Sequence, residues 1–246
     1  MKKTISIAII AGSVSLMVAS LILGISLYKT KAAPKTVSVV GLVEKDFVSD
    51  LIVWKLNLAV VSPNLKDGYA KIKNQNAVVK EYLISKGIAE NEIVFDAVST
   101  SENNSWEWDE RVGRSVQIFK GYNLWQSVRV ESQEVEKVEK IAREVSELLD
   151  RDIQVNTNGP EYYYTKLADL KIEMLADATK DARNRAETIA GNAGAKLAGL
   201  KTANMGVFQI TAPNSSGEDY TWGGTFNTSS KNKRASINMR LTYYVK

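Results

Sequence analysis

Three carboxylates, Glu173, Asp177 and Asp181, recur every fourth residue, which on a helix sets them along one stripe. Oxygen donors in that arrangement could coordinate a hard cation. Lys180, Arg183 and Arg185 stand among them, however, and a solvated face of mixed charge accounts for the stripe without a metal. A second group, Trp106-Glu107-Trp108-Asp109, follows Asn103-Asn104 in a stretch that reads as a polar turn. Exposed there, the two indoles would stack on a sugar or meet a partner; the competing reading folds one of them back over a sheet. The triplet Tyr162-Tyr163-Tyr164 alternates across a strand, so at least one ring is expected in the core. Ser230-Lys231-Asn232-Lys233 matches Ser-x-x-Lys, but it lies in a Ser/Asn-rich loop and opens no helix, so we read it as chance.

Composition narrows the chemistry further. The 246 residues contain no His and no Cys. A histidine-based triad, a thiolate metal site, a disulfide and a lipid-bearing cysteine are therefore excluded. Neither a GxxxxGK phosphate loop nor a Cys-based metal spacing occurs, and the glycine-rich run Gly191 to Gly199 ends a helix, whereas phosphate cradles open one. We expect no catalytic residues, no cofactor and no metal. Five of the 32 Lys and Arg residues precede residue 36, where no acid occurs, leaving 27 basic against 28 acidic residues and a net charge of −1 for the rest. A nucleic-acid footprint is absent from such a body.

The elements that must carry these groups begin with residues 5–27, an uncharged and largely apolar run of 23 residues. That is long enough to cross a hydrocarbon core of ~30 Å as a helix. Lys2 and Lys3 precede it and Lys29, Lys31 and Lys35 follow. We read residues 1–35 as an anchor or signal segment that places the domain in the periplasm or outside the cell. A cleaved signal peptide, with Val18-Ala19-Ser20 as its small-residue site, is the rival reading.

Residues 36–246 are expected to form an α+β domain. Within 51–164, alternation in Leu51 to Val61, helical spacing from Leu65 to Leu83, strands over Ile93 to Thr100 and Arg114 to Val130, a helix through Val135, Val138, Ala142, Val145 and Leu149, and a return strand to Tyr164 spell strand, helix, strand, strand, helix, strand. That is the order of a ferredoxin-like plait. Residues 36–50 and 165–246 would supply a second α/β layer from both chain ends. It would include a long helix from Leu167 to Ala193, whose apolar face reads Ile172, Leu175, Thr179, Ala182, Ala186, Ile189 and Ala193. The final strand sets Ile237, Met239, Leu241, Tyr243 and Val245 on one side. Between Thr211 and Lys233 runs a Ser/Thr/Asn/Gly-rich connection holding Tyr220, Trp222 and Phe226. It is expected to be disordered, to dock on a neighbouring subunit or the envelope, or to grip a ligand.

The run Pro160 to Phe208, with Thr165-Lys166-Leu167, Ala176-Asp177-Ala178-Thr179, Ala182-Arg183 and Met205-Gly206-Val207-Phe208, resembles the SIMPL domain family (DUF541) of bacterial envelope proteins. The likeness extends upstream through Val37-Ser38-Val39-Val40-Gly41, Asp50 and Gly121-Tyr122, with Ser49 where the family usually has proline. It implies a periplasmic or surface-exposed domain, often oligomeric, with some members linked to oxidative-stress defence. No catalytic residues come with it. The expectation is thus a membrane-anchored, non-enzymatic protein that self-associates and binds no nucleic acid. The alternative is a ligand-binding module that grips a sugar or aromatic ligand with exposed Trp residues. Trp106, Trp108, Tyr220, Trp222 and Phe226 are the candidate interaction residues.

Overall fold

A computed structural model describes residues 2–31, 35–214 and 223–246. It is a mixed α+β protein with four α-helices and two antiparallel sheets among the described residues. Helix α1 runs Lys2–Lys31, with side chains described over 12–26. Among the described residues no helix is long and apolar enough to cross a membrane. The remainder of the expected span 5–27 lies outside the described side chains. The chain divides into two compact units, one of Met1–Leu42, Asp177–Gly206 and Asn238–Lys246, the other of Val43–Ala176 and Val207–Ile237.

The larger unit holds the six-stranded sheet. Strand β2 (Leu51–Ser62) is its spine, because alternation buries Ile52, Trp54, Leu56, Leu58 and Val60 while their neighbours face outward. It is followed by α2 (Leu65–Ser85), β3 (Ile93–Phe95), β4 (Ser99–Asp109), β5 (Arg114–Ser132), α3 (Val135–Glu144), β6 (Val155–Thr157) and β7 (Glu161–Tyr163). The order β3-β5-β2-β6, with β4 also on β5 and β7 also on β2, is antiparallel throughout. Ile72, Val79 and Leu83 of α2 and Val135, Val138 and Ile141 of α3 close the core on one face. Asn64 caps α2 by accepting the Asp67 N–H at 2.9 Å, and Gly87, at φ 92°, lets the chain turn away at the other end.

Several local expectations change here. Leu65 and Tyr69 are exposed, because Gly68 takes the inward position of the first turn and lies against the Leu124 side chain. After α3 the chain tightens into a 3-10 helix, Val145–Arg151, which buries Leu148 three residues on from Val145 and leaves Leu149 outside. The expected single strand back to Tyr164 is two short ones, β6 and β7. The largest correction is β4: residues 101–111, read as a turn, are strand to Asp109, and the reversal is confined to the few residues before Arg114. Backbone pairing with β5 sustains it where polar side chains give no alternation. The ladder pairs Asn103 with Gly121 and Asn104 with Phe119, so Lys120 is the extra residue of a bulge beside Gly121.

The second sheet has the order β1-β10-β8, with β9 also on β10. Strand β1 (Thr36–Val48) comes from one end of the chain; β8 (Leu197–Met205), β9 (Gln209–Thr211) and β10 (Asn232–Val245) come from the other. In the smaller unit Gly41 of β1 lies on helix α4 (Leu167–Asn192). A Cβ at Gly41 would collide with the Ala178 carbonyl oxygen and lie 2.7 Å from Ala182 N. The α4 residues that are buried are Leu170, Met174, Ala178, Ala182, Ala186 and Ala190. Of the face expected from spacing, Ala182 and Ala186 are inward, whereas Ile172 and Ile189 face out.

Candidate functional site

The indoles of Trp106 and Trp108 lie two residues apart on β4, opposite Gln117 and Ser115 of β5. Two residues along a strand share a face, and both rings are open, at 70% and 65% exposure. Phe119, opposite Asn104, joins that face and meets Tyr122 edge-on at 5.1 Å. On the reverse face Glu107 holds Lys120 at 2.6 Å, a contact that keeps the Glu107 carboxyl below its ordinary range. At the tip Asp109 accepts the Arg111 N–H at 2.9 Å, and Gly113, at φ 62°, completes the reversal. The hairpin is thus a framework for an aromatic strip. Neither indole folds back over the sheet.

Phe226 stands elsewhere. It is exposed and stacks near Tyr163 of β7 at 6.3 Å, with β2 and β5 between it and β4. Tyr220 and Trp222 lie outside the described residues. The described part of their connection is pinned to its own unit. Thr225 O accepts the Ile210 N–H, Ile210 O accepts that of Asn227, and Thr228 O accepts that of Tyr162 at 2.7 Å. The Lys233 side chain, buried, donates to Asn227 O at 2.5 Å. Ser230 Oγ donates to Asn232 O, so the Ser-x-x-Lys sequence serves the loop's own hydrogen bonds.

Two acids of the stripe are held by separate partners. Glu173 pairs with Lys45 at 2.6 Å; Asp181 accepts from Arg185 at 2.9 Å and from the Leu42 N–H at 3.1 Å. Among the described residues no group of three or more acids is placed to hold a metal ion. Of the tyrosines, Tyr162 is in the core, where burial raises its hydroxyl pKa, while Tyr164 meets Phe47 at 4.8 Å.

Sequence reasoning missed three features. Asp50 receives both the N–H and the hydroxyl of Thr165, at 2.7 and 2.8 Å, and so ties the end of β7 to the start of β2. Next to it, the Ser49 N–H donates to Lys231 O at 3.0 Å, a bond that a proline there could not make. The third is a groove of about 480 Å³ in the smaller unit, between β1 and α4, lined by Ser38, Val40, Asn184, Arg185, Thr188 and Ile189. No residue motif marks it, because it arises from strand order.

An α+β body with two antiparallel sheets and an exposed aromatic hairpin is the class of protein these features define. The sequence profile of the SIMPL family, described as a protein of unknown function (DUF541), matches residues 37–238, and the chain belongs to that family. No curated protein matches the chain.

Proposed function

We propose that this SIMPL protein is an exported, membrane-anchored and non-enzymatic component of the cell envelope that assembles with copies of itself, in the service of envelope or oxidative-stress defence. Strand β8 carries the reading. It ends its sheet, and its last seven residues are exposed on both faces, with Leu200 and Met205 at 52% and 63%. Exposed edges are normally blunted by charge, proline or a bulge. In β8 that protection lies in its first half, where the register against β10 slips at Lys201 and again between Leu200 and Leu197, and Thr202–Met205 carries no charge and keeps a regular ladder. The apolar run 5–27 supports the anchor, and the lack of His and Cys supports a non-catalytic role. Sedimentation of the full-length protein in detergent micelles, at tens of micromolar, tests the assembly. An oligomer is expected, with Met205→Lys shifting it to monomer; a wild-type monomer throughout would refute the reading.

A second reading, a binding module for a sugar or aromatic ligand, is favoured by the exposed Trp106 and Trp108 on one face of β4. Intrinsic fluorescence titrated with cell-wall sugars should then change, and Trp106→Ala with Trp108→Ala should abolish the change. No response to any ligand would remove it.

A further inference from the structure

Both ends of the smaller unit's sheet are open, and they differ in kind. On β1 the Leu42 N–H points away from β10 and is taken by Asp181. In a strand the N–H and C=O of alternate residues point the same way, so those of Val40 and Ser38 also face outward, into the groove walled by Thr188 and Ile189 of α4. The groove therefore offers a backbone edge beside a mixed wall, in which Ile189 and Thr188 are flanked by Asn184 and Arg185.

The β8 end is the reverse. Thr242 Oγ1 donates to Ser38 Oγ at 3.2 Å, which places both on the face of the sheet turned away from α4. Leu241 and Met239 accordingly lie on the α4 face, and the register sets Ala203 opposite Leu241 and Met205 opposite Met239. Ala203 and Met205 thus project on the α4 side, yet α4 leaves them uncovered. A strand added to β1 would direct side chains on that same side against α4. Charge agrees. The smaller unit's carboxylates are Asp177, Asp181 and Glu187, all on α4. Asp181 and Glu187 are paired with arginines, and Asp177 has no ion pair among the described residues. Around β8 stand Lys196, Lys201 and Arg240, with no acid from 193 to 206.

We propose that the groove between β1 and α4 is an acceptor site for strand β8 of a second copy of this chain, so that subunits join head to tail and each sheet continues into the next. This rests on the self-assembly proposed above and assigns its contact. The two surfaces are different patches, so the interface is heterologous and extends into a ring or a filament, not a two-fold dimer. Main-chain pairing with β1 supplies affinity, and the fit of Ala203 and Met205 against Thr188 and Ile189 supplies register.

The cysteine-free chain makes the test direct. Full-length protein in micelles carrying both Ala203→Cys and Thr188→Cys, treated with a short thiol-specific cross-linker, should give a covalent ladder extending past the dimer, while each single variant stays unlinked. Met205→Cys with Thr188→Cys should behave alike. Sedimentation of the same samples separates the two failures. An oligomer in which Ala203→Cys alone links to itself, or in which neither double variant links, overturns the head-to-tail contact and leaves self-assembly standing. A monomer overturns both.

Discussion

Glu139 shows how a single side chain ties distant sequence together. Its two oxygens accept from Lys231 at 3.0 Å and Arg143 at 2.9 Å, joining α3 to the connection before β10. The hydrogen bond from Lys231 is the main reason its carboxyl titrates below the ordinary value of 4.5, and burial works against it. A depressed carboxyl stabilises the fold above its unfolded value and loses that contribution as pH falls through the folded one. Glu139→Gln should therefore lower the unfolding free energy by roughly 1 kcal/mol at neutral pH. In urea melts the gap between variant and wild type should close well below pH 4.5; a gap that persists in acid would mean that the pair is not what Glu139 contributes. The Glu139–Arg143 half of this arrangement is legible as a four-residue helical spacing. The Lys231 half is not, since 92 residues separate the partners.

Among elements, α4 marks where reading a pattern succeeds and where it slips. Spacings of three and four correctly announce a long helix, and its observed bounds, Leu167–Asn192, differ from expectation by one residue at the end. Its buried positions, however, recur every four from Leu170 to Ala190. Four residues turn about 400° around the axis, so the stripe precesses by about 40° at each step instead of running straight. A template for a straight face selects Ile172, which is 69% exposed, in place of Met174, which is fully buried. Ile172→Lys should then change stability by no more than about 0.5 kcal/mol. Met174→Lys should cost about 3 kcal/mol or more by burying an unpaired charge. Thermal unfolding of the two variants decides it: equal losses would contradict the observed stripe. The β4–β5 hairpin failed differently. Its ladder is made of main-chain bonds, and Ser99 to Ser105 contains no apolar residue to mark a strand. Its indoles were nonetheless visible as candidates, since an exposed Trp needs no neighbours to be noticed.

At the scale of the whole molecule, the mixed α+β class and the buried face of β2 follow from hydrophobic periodicity, while the shared layer of both chain ends follows from the elements left over and from the tendency of domain termini to lie near one another. That β8 ends its sheet, and that a groove opens beside β1, depends on which strand lies next to which, and residue spacing does not encode that directly. Charge is the other global quantity, and it bears on where the molecule resides. With the five basic residues before residue 36 set aside, the body is near neutral, so attraction to anionic lipid contributes little. In the anchored form proposed above, attachment would come from the apolar run 5–27. Burying it as a helix in hydrocarbon satisfies every main-chain group internally and removes a continuous apolar surface from water. The full-length protein is therefore expected in the membrane fraction, resistant to both high salt and alkaline carbonate. Replacing Leu16 and Leu21 with Arg should release it, because each charge placed near the centre of such a span costs about 3 kcal/mol. Release of the wild-type chain by salt alone would point to a peripheral, electrostatic attachment, and recovery of a shortened chain free of membrane would point to removal of the segment after export.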